Sequence, residues 1–397
     1  MSVPSSATAD DGQWWYDTYK VADAHAAGWT GAGIKIAVVD SQINPDLPDF
    51  GGADLTVAAG AACEGAEPAS TEATALSEHG STVTAMLIGN GTGVAGTKGI
   101  VPDASVTFYG VGTLEDCTPT TEVEQSGHTP LGWMLQRALD DGADIVFTTI
   151  VVGQVSSADV STIAQSIARK VPVVAGNPNN GFSQGFLPAS LDGVVAVSAV
   201  DQNLTLPTGA LGVANAIPET TVVAPGVAIS TLGDGSSWDV AGLGTGTSFA
   251  TPQVAGILAA AMQKYPDATG NQLLQSLVHN TGGQEHPLRY NETDGFGYGA
   301  ASLTRVLAVD PTQYPDENPL LDKRLDQPSA TDIADAEKAL ASAAPTAPGD
   351  SSQGSGASVV PILIGVGIGV IVLVLVAVVV TVIIIRRNNR TQRKGQS

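Results

Sequence analysis

Between residues 30 and 309, short apolar runs rich in valine, isoleucine and alanine alternate with stretches whose apolar residues recur at helical spacing. The runs 34–39, 105–111, 145–152, 171–175, 194–199 and 221–224 are apolar at consecutive positions rather than at every second one. That is the pattern of strands buried on both faces. Helical periodicity intervenes at 131–141, 160–169 and 248–264, and another apolar helical pattern begins at Val83. Strands alternating with helices predict an α/β domain over 34–309, a doubly wound, mostly parallel sheet with helices on both faces. In such sheets chemistry collects at the carboxyl ends of the strands, so the residues that follow each run are the candidates.

The pattern changes on both flanks. Residues 1–33 form an N-terminal extension. Residues 310–358 shift to proline, alanine, serine, glycine and acids and read as a linker, with a short helix at 329–343 capped by Ser329 or Thr331. From 359 to 385 there is no charged residue. The part 362–385 would extend about 36 Å at roughly 1.5 Å per residue as a helix, enough to cross a bilayer core of about 30 Å with some tilt. The fold class therefore includes one C-terminal transmembrane helix and a lipid bilayer as partner.

Charge supplies the orientation. The chain carries a formal net charge of −22, yet Arg386, Arg387, Arg390, Arg393 and Lys394 crowd the tail 386–397 with no acid among them. The positive-inside rule puts that tail in the cytoplasm and the acidic bulk outside. A nucleic-acid partner is excluded, since phosphate neutralisation needs clustered basic residues and none occur before the tail. An exported domain needs a leader. Residues 1–30 hold no basic segment followed by an apolar core, so a leader is expected to precede the sequence given.

Three strand or helix ends carry polar residues with catalytic potential. Asp40 follows Ile36-Ala37-Val38-Val39; taken alone it reads as a cap or a structural ion pair. His79 lies in Glu78-His79-Gly80-Ser81-Thr82-Val83, where a packing or capping role is the plain alternative. Ser248 lies in Gly244-Thr245-Gly246-Thr247-Ser248-Phe249-Ala250-Thr251-Pro252 and alone would be a helix N-cap, with Pro252 in the first turn. Together with Val174-Ala175-Gly176-Asn177 and Ala224-Pro225-Gly226 these blocks resemble, in order, the subtilisin-like serine proteases. The resemblance implies a triad of Asp40, His79 and Ser248, an oxyanion donor at Asn177 beside the Ser248 N–H, a peptide substrate and no cofactor or metal. It also implies a first specificity pocket walled by Thr149, Ile150 and Val151 on one side and Val174, Ala175 and Gly176 on the other.

Departures from the family pattern are Gln42, Pro178 and the stretch Phe147-Thr148-Thr149-Ile150-Val151-Val152-Gly153, which replaces an Asn-x-Ser-Leu-Gly-Gly edge. Within the family the chain is most similar to the mycosins, the membrane-anchored proteases associated with type VII secretion. That likeness rests on the short extension, Thr247-Ser248-Phe249-Ala250, Gly295-Phe296-Gly297-Tyr298-Gly299, and the stalk with one span. Two functions stay open: a surface-anchored serine endopeptidase, and a catalytically weak subtilisin-fold component of a membrane secretion complex.

Cys63 and Cys117 are the two cysteines. In an exported domain they can close one disulfide, the alternative being two unpaired thiols. No further ligand at metal spacing accompanies them. Asp46, Asp49 and Asp54 lack EF-hand spacing and read as solvated loop carboxylates. The charge distribution makes a topological prediction. Protease added to intact cells is expected to remove the domain 34–309 and leave residues 386–397 protected; a digested tail with a protected domain reverses the orientation.

Overall fold

The structure, a computed structural model, describes residues 12–114, 117–179, 187–209 and 212–343. The chain divides into two units, 1–344 and 345–397. The span expected at 359–385 and the basic tail belong to the second and lie outside the described residues. Among the described residues no helix is long and apolar enough to cross a membrane.

Two short helices, α1 (Trp14–Thr18) and α2 (Val21–Ala26), lead into β1 (Lys35–Asp40). Then follow β2 (Leu55–Val57), α3 (Ala75–Ile88), β3 (Ser105–Gly110), α4 (Thr121–Ser126), α5 (Pro130–Asp140) and β4 (Ile145–Thr148). Next come α6 (Ser157–Ala168), β5 (Val173–Gly176), β6 (Val194–Val200), β7 (Val222–Pro225) and a small hairpin of β8 (Ile229–Thr231) and β9 (Gly242–Gly244). The helices α7 (Thr247–Lys264), α8 (Gly270–His279), α9 (Leu303–Ala308) and α10 (Ala330–Ala343) complete the order.

Among the described residues seven strands form one sheet in the order β2-β3-β1-β4-β5-β6-β7, all neighbours parallel. The winding reverses at β1, which has β3 on one side and β4 on the other; the carboxyl end of β1 is therefore the switch point where such sheets open a crevice. The alternation of side chains explains the unbroken apolar runs. Ile36, Val38, Phe147, Val174 and Val197 face the layer that holds α3 and α7. Ala37, Val39, Val146, Ala175 and Ala196 face α5 and α6. The middle strands of the sheet, β1, β4, β5 and β6, are thus covered on both sides, whereas the edge strand β2 is partly exposed.

Several bounds differ from the sequence reading, each for a local reason. The strand expected over 145–152 stops at Thr148, and Val152 instead bridges Leu187. Helix α3 begins at Ala75 rather than near Val83, because Thr74 and Ser77 form a reciprocal capping box whose second member is serine rather than the usual glutamate or glutamine. Ser248 is not an N-cap: α7 starts at Thr247 after Gly246, and Pro252 sits inside the helix, where it cannot donate to the Ser248 carbonyl.

Of the linker expected at 310–358, the part 310–343 packs onto the domain and 344–358 lies outside the described residues. Leu320 is 4% exposed, Lys323 Nζ donates to the carbonyls of Ala189 and Val194 at 2.6 Å each, Lys170 pairs with Asp316, and α10 packs along α6. Polar composition concealed these few anchors. Cys63 and Cys117 are joined by a disulfide with Cα atoms 5.2 Å apart and 54 residues of separation, which stabilises by about 4 kcal/mol in the chain-entropy account. Leu320→Ala is expected to destabilise by about 2–4 kcal/mol in denaturant unfolding. A change within about 0.5 kcal/mol, as for surface positions, would show that residues 314–329 do not belong to the core.

Candidate active site

Asp40 ends β1 and is 1% exposed. A buried carboxylate has to be compensated by donors, and four are supplied. Ser41 gives its N–H at 2.6 Å and its hydroxyl at 3.0 Å to Oδ1, His79 Nδ1 stands 3.0 Å from the same oxygen, and Thr149 Oγ1 donates to Oδ2. Burial pushes the Asp40 pKa up, but the facing imidazole and these donors outweigh it and hold the group below its ordinary value. For His79 burial opposes the charged form, while the Asp40 carboxylate, its hydrogen bond and the adjacent Glu78 favour it; the net shift is upward.

His79 lies on the first turns of α3, and Gly80 is what lets that helix come so near. A Cβ on Gly80 would stand 2.0 Å from the Gln42 carbonyl, so any larger residue would lift α3 off the loop after β1. With Nδ1 on Asp40, the other ring nitrogen of His79 has no hydrogen bond among the described residues. The Phe249 ring is 6.2 Å away, centroid to centroid, so the amino end of α7 adjoins the imidazole. Ser248 is the second residue of α7, and its hydroxyl makes no hydrogen bond among the described residues. Contacts of this kind are commonly long without substrate.

The residues expected to bind substrate separate into groups. Thr149 spends its hydroxyl on Asp40 instead of walling a pocket. Val174 and Ala175 are fully buried in the two core layers, and a Cβ on Gly176 would meet Thr251 and Thr247 of α7 at 3.0 and 3.2 Å. The β5 wall is therefore core, because successive residues of a central strand point into the covered faces. Ile150 and Val151 remain partly exposed.

The Asn177 backbone lies against the amino end of α7, its carbonyl accepting the Thr247 hydroxyl, but its side chain is engaged elsewhere. It is 1% exposed, and its amide donates to Ser198 Oγ at 2.9 Å and Thr220 Oγ1 at 3.0 Å. Thr220 gives its own proton to the Ile217 carbonyl at 2.7 Å, which leaves it an acceptor for Asn177. The amide at the amino end of α7 is that of Asn179. Its Oδ1 accepts the Thr247 N–H at 2.9 Å, and its Nδ2 lies 3.2 Å from where a Cβ on Gly246 would stand. In the sequence Asn177 directly follows the motif glycine, and Asn179 is the second asparagine across Pro178. Among the described residues no group of acids, histidines or cysteines is arranged to hold a metal ion.

A thermostable alkaline protease from Halalkalibacterium halodurans is 29% identical over 269 residues, 66% of this chain and 66% of that protein. Subtilisin E from Bacillus subtilis (strain 168) is 27% identical over 260 residues, 64% of this chain and 61% of that protein. The chain thus spans slightly less than two thirds of the length of these relatives. In fold it is similar to MycP1 from the ESX-1 type VII secretion system, with a TM-score of 0.60 at 18% identity, covering 81% of this chain and 91% of that one. Residues 31–299, which enclose Asp40, His79 and Ser248, match the Subtilase family (Peptidase S8), and the chain belongs to that family.

Proposed function

We propose that the chain is a serine endopeptidase that works outside the membrane and is anchored to it. The observation that carries the reading is the imidazole of His79, tied through Nδ1 to a buried Asp40 at 3.0 Å and left unbonded on its other nitrogen beside the amino end of α7. Ser248 Oγ attacks the carbonyl carbon of the scissile peptide while its proton passes to His79 Nε2. Asp40 holds the Nδ1–H tautomer and stabilises the imidazolium. The carbonyl oxygen, now negative, is met by the Ser248 N–H and by Asn179 Nδ2, each such donor worth about 3–4 kcal/mol of barrier. His79 returns the proton to the leaving amine as the C–N bond breaks, and water then removes the acyl group by the same steps.

Anchoring is supported by the uncharged stretch 359–385 and the basic residues after it. A role in type VII secretion is supported by the likeness in fold to MycP1, whose name carries that association.

Ser248→Ala and His79→Ala are each expected to abolish fluorophosphonate labelling or peptide turnover, with kcat lower by roughly 10⁴–10⁶. Unchanged hydrolysis in either would remove the triad. Asn179→Ala is expected to lower kcat by about 10²–10³ and Asn177→Ala to lower thermal stability instead; the reverse result would return the oxyanion role to Asn177. The pH profile supplies a third check. Because His79 must be neutral to act as base and its pKa is raised, activity should fall with acid through a value above that of free imidazole. Glu78→Gln removes a negative neighbour and should move that limb to lower pH; a limb that stays or rises would show that Glu78 does not act on His79.

A further inference from the structure

At the amino ends of β6 and β7, the opposite end of the sheet from Asp40, lies a cavity of about 200 Å³ that the proposed chemistry does not use. Its walls come from three distant stretches of chain: Pro218–Thr221 before β7, the bridge-closed loop 290–298, and the segment 319–324. Glu219 belongs to the wall although it is only 6% exposed, and its Oε2 has no hydrogen-bond partner. A native interior seldom leaves a carboxylate oxygen unpaired, and where it does the group needs an explanation.

The charges that face the cavity sort by whether they are already engaged. Lys323 turns its Nζ onto the carbonyls of Ala189 and Val194. Arg324 stands at the rim, more than half exposed, 3.5 Å from an equally exposed Glu292. Arg324 and Glu292 offset one another, and Lys323, whose hydrogen bonds go to the two carbonyls, is near enough to Glu219 to be attracted by it without forming an ion pair. Glu219 and Asp322 have no ion pair among the described residues. Tyr290 and Tyr298 add a pair of rings in edge contact, 5.2 Å between centroids, with Tyr290 fixed by donating its hydroxyl proton to the Pro218 carbonyl. Aromatic faces beside a carboxylate with an oxygen lacking a hydrogen-bond partner attract cations, the more so when water is largely excluded.

We propose that this cavity binds a cationic nitrogen group, an alkylammonium or alkylguanidinium such as a lysine or arginine side chain carries, with Glu219 and Asp322 as counter-charges and the two tyrosines as walls. The site is independent of the triad, and its failure would leave the peptidase reading untouched. The cavity holds one such group, and its stem would lie against the rings.

Calorimetric titration of the whole protein tests it with three probes: n-butylguanidinium, the uncharged n-butylurea of nearly the same shape, and a capped Gly-Arg-Gly peptide. The cation is expected to bind at one site with a dissociation constant on the order of 1 mM, at least roughly tenfold tighter than the urea, and Glu219→Gln should remove most of that difference. Binding of the peptide as tight as that of butylguanidinium would assign the site to side chains of protein partners, and binding of butylguanidinium alone to free amines. If Glu219→Gln does not fold, Asp322→Asn serves, with an expected loss of roughly threefold to tenfold. Equal binding of the urea and the cation, no saturable binding of the cation, or unchanged affinity in the variant that folds would overturn the proposal.

Discussion

A carboxylate sealed at the carboxyl end of a central strand is the constraint on which the rest of the site depends. Left alone, the Asp40 charge would cost several kcal/mol in such surroundings. Its four donors come from three places: Ser41 beside it, Thr149 just past β4, and His79 on α3. Satisfying one buried charge therefore fixes the end of β1 against β4 and brings α3 down onto the loop after β1, where the absence of a side chain at Gly80 makes the approach feasible. The same bonds that keep Asp40 ionised orient the imidazole and raise its pKa. Structure and proposed chemistry rest here on one electrostatic requirement.

The altered segment after β4 acquires a role in that light. A peptidase edge that pairs with substrate has to be open and extended, whereas here Thr149 is drawn inward by its hydroxyl and Val152 bridges Leu187. Thr149 acts on the acid rather than on a substrate side chain. Val174 and Ala175 are enclosed in the core, while Ile150 and Val151 stay partly exposed.

Residues beyond α9 extend the same principle to the far end of the sheet. Lys323 is half-buried, and the surrounding protein pushes its pKa down to about 7, desolvation outweighing the attraction of Asp192 and Glu219. Its two carbonyl partners are the means by which a buried amine is kept satisfied, and they tie a segment of polar composition to the start of β6. The cavity bounded by Glu219 and the two tyrosines exists because this segment closes over the amino ends of β6 and β7.

By itself the amino-acid sequence determined the parallel sheet, since consecutive apolar residues at 36–39 and 194–197 have no stable place except between two covered faces. It also determined which acid, imidazole and hydroxyl stand in β1, α3 and α7, because each lies in a motif that directly adjoins the apolar pattern of its element. Tertiary structure alone decided what those ends touch. Where the Thr149 hydroxyl turns, which of the Asn177 and Asn179 side-chain amides faces the amino end of α7, and whether residues 310–343 pack all depend on partners 20 to more than 130 residues away. Hydrogen bonds between such distant residues leave no period in the sequence, and polar composition at 310–343 does not reveal that a lysine and a leucine pack that stretch against the domain. Local pattern fixes elements because their hydrogen bonds are local; a site is assembled from the ends of many elements, and only the folded chain brings those ends together.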